Sequence, residues 1–349
     1  MSKTYRFILT GVGNVGQDFL QTMIKNGDLV RQRYGFSLQL VGAADSRGIV
    51  YDNAGLDMAA LLAHKQAGHP VSSFNQQGES GTPPAALFER VTADLLLEAT
   101  PTDLTHGQPG LDLTRTALQK GMHAILASKG PLVLAFNELA QLSDLETKGA
   151  PALRFSGATA GVLPTTSFGM RELAGSQIHQ IDAAVNGTTQ LILDLMGEGQ
   201  SYETALKAAQ EAGIAEPDST LDVDGWDSAN KLVIIANTVL RQPTTLADIS
   251  VTGIRSITET EIKTAIESGG RISLIARAIR PQDSPPNTPY TLSVAPITLP
   301  PTHDLAHLRG DGMGIVYHTD VFGRLAVLAN DIGVGTGAAM LKDIIELLG

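Results

Sequence analysis

The stretch Tyr5-Arg-Phe-Ile-Leu-Thr-Gly-Val-Gly-Asn-Val-Gly16 indicates the fold of the N-terminal part of the chain. An apolar strand pattern runs into Gly-x-Gly-x-x-Gly, and the residues from Gln17 to Asn26 have the pattern of a helix. Such glycines allow a tight turn, close approach of a pyrophosphate and helix–strand packing, while the helix N-terminus faces the phosphates. We therefore predict a Rossmann-type dinucleotide-binding domain, whose first cofactor contacts are Gly11, Gly13, Asn14, Val15 and Gly16.

The second strand pattern, Leu38-Gln-Leu-Val-Gly-Ala-Ala44, ends at two residues that favour different cofactors. Asp45 is placed to accept the ribose hydroxyls of NAD, whereas Arg47 is placed to hold the 2′-phosphate of NADP. Asp45 lies further from Gly16 than the usual interval of about 20 residues. The alternative is that Asp45 caps a turn and Arg47 is solvated. The sequence leaves the cofactor open between NAD and NADP.

Two more strand patterns, Asp94–Ala99 and His123–Ala127, are almost continuously apolar, which is typical of buried parallel strands. Ligands of open α/β sheets bind at the carboxyl ends of the strands. We therefore expect the residues that follow these strands to contact the cofactor, with a lysine beside the nicotinamide. These residues are Thr100, Pro101, Ser128 and Lys129. A solvated loop position is the alternative for Lys129.

The stretch from Ala215 to Lys231 is acidic and precedes the apolar run Leu232–Ala236. Its carboxylates are Glu216, Asp218, Asp222, Asp224 and Asp227. Asp227 and Lys231 are four residues apart and share one face of a helix. A solvated loop with an ordinary surface ion pair is the alternative. The apolar run instead places the lysine at a buried rim, where an acidic cluster with one lysine suits a substrate that carries an ammonium group and a carbonyl.

The patterns predict an α/β chain of two domains. Residues 1–150 form the dinucleotide-binding domain, completed by about 320–349, and residues 151–319 form an α+β domain for substrate binding and oligomerisation. The strand patterns of this second domain include Ile178–Val185 and Arg271–Arg277. The glycine-rich turn Gly333-Val-Gly-Thr-Gly337 before a final helix is expected to return to the cofactor, with Gly335 in contact.

Composition limits the function classes. The 349 residues carry a formal charge of −11, which disfavours nucleic acid and anionic membranes as partners. The chain has no cysteine, which removes disulfides, thiolate metal sites and cysteine catalysis. It has no apolar run long enough for a membrane span, and its first residues lead straight into a strand rather than a signal peptide. We expect a cytoplasmic protein.

The motifs together resemble the homoserine dehydrogenase family along almost the whole chain. The most specific is Ala215-Glu-x-Asp…Asp222-Val-x-Gly-x-Asp227-x-x-x-Lys231. The others, in the order of the family, are Gly11–Gly16, Ala99–Pro101, Ser128–Pro131, Gly157–Thr159, Asn186–Thr188 and the turn Gly333–Gly337.

The resemblance implies an activity and roles for residues. The family reduces L-aspartate 4-semialdehyde to L-homoserine with NADH or NADPH, reversibly, on the route to threonine and methionine. Its members are dimers or tetramers joined through the substrate domain. Carried over, Lys231 donates a proton to the aldehyde oxygen and Lys129 assists beside the nicotinamide. The residues implied at the substrate are Glu216, Asp227, Asp222, Asn186, Gly187 and Thr188.

The sequence departs from the family pattern in one loop, in the final glycine turn, which Asp331-Ile332 precedes, and in ending at Gly349. Many members have a glutamate at the position of Gly157 and a longer glycine loop whose carbonyls bind a monovalent cation. The loop Gly157–Pro164 is one residue shorter here, so no metal is firmly predicted, and the backbone of Gly157, Ala160 and Val162 stays open as a cation site. No regulatory or kinase domain follows Gly349, so we expect the short form without threonine control through such a domain.

Other functions predict different residues. An aspartate-semialdehyde dehydrogenase needs a nucleophilic cysteine, which the chain lacks. Another NAD(P)-dependent dehydrogenase of a small amino or hydroxy acid on the same scaffold is the alternative, and a histidine paired with an acid would favour it. A non-catalytic nucleotide sensor or subunit scaffold would tolerate loss of both lysines.

Overall fold

A computed structural model describes residues 3–147, 149–285, 287–330 and 335–349. The chain divides into two compact units, Met1–Val162 with Val334–Gly349, and Leu163–Gly333. Within the described residues, no helix is both long and apolar enough to cross a membrane.

The first unit contains a sheet of seven strands in its described residues. The strands are β1 (Lys3–Thr10), β2 (Phe36–Asp45), β3 (Gly48–Tyr51), β4 (Glu79–Ser80), β5 (Leu95–Glu98), β6 (His123–Leu126) and β7 (Leu153–Arg154). Their order is β4-β3-β2-β1-β5-β6-β7. Five neighbouring strands pair in parallel, namely β2, β1, β5, β6 and β7. β3 and β4 form an antiparallel edge beside β2.

The strand order reverses at β1, which pairs with β2 on one side and with β5 on the other. The carboxyl ends of β1 and β5, at Thr10 and Glu98, therefore flank the topological switch point where ligands of such sheets bind. Leu95, Leu96 and Leu97 are fully buried, because both faces of the sheet are covered by other elements.

The helices of the first unit connect these strands. They are α1 (Asn14–Tyr34), α2 (Met58–Gln66), α3 (Leu87–Arg90), α4 (Gly110–Gln119), α5 (Gly130–Gln141) and α6 (Ser156–Thr159). Short 3₁₀ turns lie at Val71–Ser73 and Pro84–Ala86. Phe7 and Leu9 of β1 pack with Phe19 of α1 in the largest apolar cluster of this unit.

The second unit contains a mostly antiparallel sheet. Its described strands are β8 (Ile178–Ala184), β9 (Ile249–Val251), β10 (Arg271–Ile279), β11 (Thr291–Leu299), β12 (Met313–Thr319) and β13 (Arg324–Ala329), in the order β13-β12-β8-β10-β11-β9. Only the edge strand β9 pairs in parallel among the described strands of this sheet.

The helices of the second unit include the two elements around the acidic stretch. They are α7 (Thr165–Ser167), α8 (Gly187–Gly197), α9 (Tyr202–Glu211), α10 (Thr220–Val223), α11 (Trp226–Thr238) and α12 (Glu259–Glu267), with a π-helical turn at Phe168–Glu172 and 3₁₀ turns at Leu246–Asp248 and Asp304–His307. The last helix, α13 (Thr336–Leu348), belongs to the first unit, where Met340 and Ile344 join the cluster of Phe7.

The predicted fold class is confirmed, and the predicted boundaries need correction. Residues 151–162 belong to the first unit, because β7 extends the parallel sheet beside β6. Arg324–Ala329, expected to return to the dinucleotide-binding domain, instead pairs with β12 in the second unit, since a short turn after Thr319 folds the chain back as a hairpin.

Candidate active site

The glycine turn after β1 has three glycines with three different surroundings. Gly11 has φ of 88°, and a Cβ atom there would lie 2.2 Å from the carbonyl oxygen of Ala99. A Cβ atom on Gly16 would lie 2.3 Å from the carbonyl oxygen of Gly11. A Cβ atom on Gly13 would meet no protein atom within 4 Å. Packing against the protein backbone thus explains why positions 11 and 16 are glycine, whereas Gly13 leaves open space at the turn.

Helix α1 begins at this turn without a side-chain cap in the described structure. Its N-cap is Gly13, which has no side chain to accept from the first turn, and that turn contains no acidic residue. The first N–H groups of a helix, here those of Asn14, Val15 and Gly16, have no acceptor inside the helix. Unused donors at the positive end of a helix, next to open space, fit a bound pyrophosphate.

Asp45, predicted to accept the ribose hydroxyls, already has protein partners on both oxygens. Lys65 Nζ lies 2.5 Å from Oδ2, and the two side chains are 10% and 9% exposed. The backbone N–H groups of Val71 and Arg47 donate to Oδ2 and Oδ1, at 3.0 and 2.9 Å. Burial would raise the pKa of Asp45, but these hydrogen bonds hold it below its usual value.

Lys65 was not among the residues predicted from the sequence. It lies near the end of α2, twenty positions after its partner, and no motif spacing links the two residues. Arg47, which was predicted, is exposed and donates from Nη2 to the carbonyl oxygen of Gly68 at 3.0 Å. The end of β2 therefore carries two cations and one neutralised acid.

The loops after β5 and β6 meet at a buried carboxylate. Glu98 is fully buried and accepts from the backbone N–H of Thr100 at 2.8 Å and from the hydroxyls of Thr100 and Ser128. Burial raises the pKa of Glu98, and the hydrogen bonds from Ser128 and Thr100 oppose that rise. Pro101 is exposed, and Lys129, the N-cap residue of α5, is half-buried and donates from its backbone N–H to Thr102 Oγ1 at 3.2 Å.

The residues considered for a cation lie at a sharp turn. Gly157 is in α6, Ala160 follows that helix with φ of 150°, a conformation that favours glycine, and Val162 is 39% exposed. The cation site at their backbone stays a prediction. Within the described residues, no group of three or more His, Asp or Glu side chains is arranged to hold a metal ion.

The final glycine turn is only partly within the described residues. Gly333, like all of 331–334, lies outside them, whereas Gly335 is the N-cap residue of α13 and has no side-chain cap. Gly337 donates its N–H to Asp18 Oδ2 at 2.6 Å, and a Cβ atom there would lie 2.5 Å from the backbone nitrogen of Phe19. The start of α13 is thus held against α1.

The acidic stretch and the start of α8 form one polar cluster in the second unit. Asn186 donates from Nδ2 to Asp222 Oδ1 at 2.6 Å and to Asp227 Oδ2 at 2.9 Å. Lys231 Nζ lies 2.7 Å from Asp227 Oδ2 and donates to the carbonyl oxygen of Val185 at 2.5 Å. Because the lysine and Asp227 are 12% and 14% exposed, this is not a solvated surface pair.

The sequence of α8 and α11 explains how the cluster is positioned. Asn186 is the N-cap residue of α8, and its Oδ1 accepts from the N–H of Thr189 at 2.9 Å, which orients Nδ2 towards the carboxylates. Gly225, in the left-handed conformation with φ of 87°, starts α11 and places Asp227 in its first turn. The buried run Leu232–Ala236 then fixes the helix in the unit.

The pKa of Asp222 is raised above its usual value. Burial raises its pKa, and the charge of Asp227 raises it further, against the opposing effects of Asn186, Lys231 and Thr188. A carboxylate with a raised pKa gains from a cationic ligand, which would stabilise its ionised form. The geometry thus suits a substrate ammonium group.

The other predicted substrate residues occupy different surroundings. Gly187 is the first residue of α8, and Thr188 Oγ1 donates to the carbonyl oxygen of Ile214 at 3.1 Å. Glu216 is exposed, and its carboxylate makes no hydrogen bond or ion pair with the cluster in the described part of the chain. Lys129 belongs to the first unit and Lys231 to the second.

Comparison with known proteins gives the family. The sequence profile described as homoserine dehydrogenase matches residues 164–345. The homoserine dehydrogenase of Methanocaldococcus jannaschii is 30% identical over 352 residues, covering 97% of this chain and 97% of that protein. The chain belongs to the homoserine dehydrogenase family. The resemblance inferred from the motifs is confirmed.

Further similarities agree with this assignment to the homoserine dehydrogenases. An NAD(+)-dependent homoserine dehydrogenase of Pseudomonas canavaninivorans is 30% identical and covers 98% of this chain and 96% of its own. The solved homoserine dehydrogenase of Thermoplasma acidophilum has a TM-score of 0.79 at 24% identity, covering 99% of both chains, which shows the shared fold. A profile described as Glutamate/Leucine/Phenylalanine/Valine dehydrogenase matches residues 1–107.

Proposed function

We propose that this protein is an NAD(P)-dependent homoserine dehydrogenase that interconverts L-homoserine and L-aspartate 4-semialdehyde. The observation that carries the proposal is the largely buried cluster of Asn186, Asp222, Asp227 and Lys231 in the second unit. Membership of the family gives the reaction, and the cluster supplies the groups that the reaction needs.

The substrate carries an ammonium group, which requires an anionic partner. Asp222 and Asp227 share the amide of Asn186, and a single lysine leaves the cluster with net negative charge when both acids are ionised. We therefore assign ammonium binding to Asp222 and Asp227. Glu216, Gly187 and Thr188 stay predicted substrate contacts. Because Glu216 is exposed, it would contact the substrate by closing on it.

Lys231 is the proton donor to the aldehyde oxygen in this proposal. An ammonium group has three N–H donors. Two N–H donors of Lys231 are directed at Asp227 and at the carbonyl oxygen of Val185, which leaves the third N–H donor for the substrate oxygen. Negative charge develops on that oxygen as it is reduced, and a fixed cationic donor stabilises this charge more in the transition state than in the substrate. In the proposed reaction, Lys129 assists from the loop after β6.

The bound nicotinamide cofactor supplies the hydride for the reduction. The chain holds the cofactor through the uncapped start of α1, with Gly11, Gly13, Asn14, Val15 and Gly16 around the pyrophosphate. Thr100, Pro101, Ser128 and Lys129 border the nicotinamide, and Gly335 approaches from α13. These assignments follow from the positions of the residues at the carboxyl edge of the sheet.

We further propose that the preferred cofactor is NADP(H). Both oxygens of Asp45 already accept hydrogen bonds from protein groups, which leaves this acid fewer acceptor positions for the ribose hydroxyls of NAD. The charge of Asp45 is neutralised by Lys65, and Arg47 adds a further cation. A 2′-phosphate therefore meets net positive charge at the end of β2.

The remaining features of the proposal follow the family. We assign cofactor binding to the first unit, whose boundaries replace the predicted 1–150 completed by about 320–349. We assign substrate binding and oligomerisation to the second unit. The protein acts as a homodimer or homotetramer in the cytoplasm, on the route from aspartate to threonine and methionine. A monovalent cation at the backbone of Gly157, Ala160 and Val162 is a secondary part of the proposal.

The test is the absorbance of reduced nicotinamide, followed with L-homoserine and either NADP or NAD at alkaline pH. We expect reduction of both cofactors, faster with NADP at limiting concentrations. L-serine and L-malate serve as controls for a dehydrogenase of another small amino or hydroxy acid. Turnover of a control substrate without turnover of L-homoserine, in protein that binds NADPH, would favour that alternative function.

A further inference from the structure

Glu98 lies under the two loops that border the proposed nicotinamide position, and it has not been assigned a role. It is the last residue of β5 and is fully buried, so it does not reach a bound ligand. A carboxylate without solvent is costly unless hydrogen bonds satisfy it. The groups that satisfy Glu98 therefore indicate what it does.

Each oxygen of the carboxylate serves a different loop. Oε1 accepts from the backbone N–H of Thr100 at 2.8 Å and from the hydroxyl of Thr100, in the loop after β5. Oε2 accepts from the hydroxyl of Ser128, in the loop after β6. The side chain of Glu98 thus joins two loops, although Thr100 and Ser128 are 28 positions apart in the sequence.

Helix α4 brings a third contact. Its N-cap residue is Pro109, which provides no side-chain cap, and its first residue is Gly110. A Cβ atom on Gly110 would lie 3.1 Å from Glu98 Oε1. The positive end of the helix therefore faces the carboxylate, which favours the ionised form. Within the described residues, no lysine or arginine forms an ion pair with Glu98, so the hydrogen bonds and this helix end are what oppose the cost of burying its charge.

We infer that Glu98 is a positioning residue, whose carboxylate fixes the Thr100 loop and the Ser128 loop relative to each other and so sets the place of Lys129 beside the cofactor. Lys129 follows Ser128 directly, and its backbone N–H donates to Thr102 Oγ1 in the other loop. The two loops are therefore joined at two successive positions, by the clamp of Glu98 with Thr100 and Ser128 and by the hydrogen bond from Lys129 to Thr102. The role of Glu98 rests on the proposed function, because Lys129 assists only if the reaction is the one proposed.

A glutamine at this position keeps the shape and loses half of the acceptors. In Glu98→Gln the amide oxygen still serves one loop, while the NH₂ group can only donate to the hydroxyl of the other loop and opposes a backbone N–H there, because the backbone N–H groups of both Thr100 and Ser128 donate to the carboxylate. Because misplacement of a catalytic group by about 1 Å costs on the order of 100-fold in rate, we expect kcat to fall by at least about tenfold. The dissociation constant of NADPH should rise severalfold, since the loops also border the cofactor.

The control is Thr114→Val, which removes a buried hydroxyl of the same unit that donates to the carbonyl oxygen of Gly110 within α4. Melting temperature, NADPH binding by fluorescence, and kcat are measured for both variants. We expect Thr114→Val to lose stability while it keeps kcat and NADPH affinity. The same result for Glu98→Gln would overturn the positioning role and leave a purely structural one.

Two further measurements keep the outcome decisive. If Glu98→Gln does not fold, Thr100→Val with Ser128→Ala removes both hydroxyl donors and leaves the carboxylate in place, and the same losses are expected. If the wild-type protein binds NADPH but does not turn over L-homoserine, the proposed function fails. The NADPH affinity of Glu98→Gln then still tests the clamp, because it does not depend on the substrate.

Discussion

Lys231 and Asp227 lie one helical turn apart on α11, and Nζ of the lysine is 2.7 Å from Oδ2 of the aspartate. The backbone carbonyl of Val185, which directly follows β8, lies 2.5 Å from the same Nζ, so the lysine is not held by its own helix alone. A pair of this kind on a protein surface contributes little. Here it fixes the direction of the ammonium group.

The first prediction concerns Asp222→Asn. We expect the KM for L-homoserine to rise about ten- to 100-fold, because the substrate ammonium group loses a charge-assisted hydrogen bond worth roughly 1.5–3 kcal/mol. The variant should also melt at a higher temperature than the wild type at neutral pH, since the pKa of Asp222 is raised by burial and by Asp227. Steady-state kinetics and thermal unfolding measure the two effects.

The pH dependence of the same group gives a matched test. A raised pKa means that Asp222 becomes protonated earlier as the pH falls, so the wild-type KM for L-homoserine should rise on the acid side. The KM of Asp222→Asn should be flatter there. A KM that depends on pH in the same way in both proteins would show that Asp222 does not bind the ammonium group.

The second prediction separates two glycines of the first turn. Gly13→Ala should keep its melting temperature and weaken NADPH binding by at least about tenfold, or about 1.4 kcal/mol, because its methyl group enters the open space at the turn. Gly11→Ala should lose more than about 2 kcal/mol of folding free energy, through its positive φ and its contact with Ala99. Unchanged NADPH affinity in Gly13→Ala would place the pyrophosphate elsewhere.

The third prediction concerns cofactor choice. Lys65→Ala removes the cation that neutralises Asp45, so the acid should repel the 2′-phosphate and accept ribose hydroxyls instead. We expect the ratio of kcat/KM for NADP to that for NAD to fall by about tenfold or more, equivalent to about 1.4 kcal/mol. Lys25→Ala, at an exposed position of α1, is the matched control. An unchanged ratio in Lys65→Ala would mean that Asp45 does not govern the choice.

The fourth prediction concerns stability and pH. Asp343 in α13 is buried and accepts from the N–H and hydroxyl of Ser156, at 2.7 and 2.6 Å. Burial raises its pKa from 3.8 to about 6. The folded state therefore favours the protonated acid, and the stability that this gives is present below about pH 3.8 and lost as the pH rises through about 6.

Asp343→Asn imitates the protonated acid at every pH. Its amide oxygen accepts from the N–H of Ser156 and its NH₂ group donates to the hydroxyl. At pH 8 we expect it to unfold at a higher denaturant concentration than the wild type, by on the order of 2 kcal/mol, with the gap closing towards pH 4. Glu346→Gln, which removes a carboxylate that forms an i,i+4 ion pair with Lys342 on the same helix, is the control. A gap that does not depend on pH would contradict the account.

Short-range patterns in the sequence predicted much of the fold and the ion pair at the candidate site. The strand, glycine turn and helix from Tyr5 onwards are local, so periodicity and glycine spacing were sufficient. The pair Asp227 and Lys231 is also local, because helical geometry places residues four apart on one face. The buried run after the lysine correctly indicated that the pair is not solvated.

Contacts between distant positions could not be predicted in this way. Lys65 reaches Asp45 from another helix, Glu98 joins Thr100 to Ser128, and Ser156 donates to Asp343 across 187 positions. Each depends on how strands and helices pack, which periodicity does not encode. The strand β13 was assigned to the wrong unit for the same reason, since its pattern does not state which strand it pairs with.

The central claim is that Lys231 delivers the proton, and Lys231→Ala tests it most directly. Lys207→Ala is the control, because Lys207 forms an exposed i,i+4 pair with Glu211 on α9. We expect Lys231→Ala to bind NADPH as the wild type does while kcat for L-homoserine falls on the order of 100- to 1,000-fold, and Lys207→Ala to be unchanged in both. A wild-type kcat in folded Lys231→Ala would contradict the account.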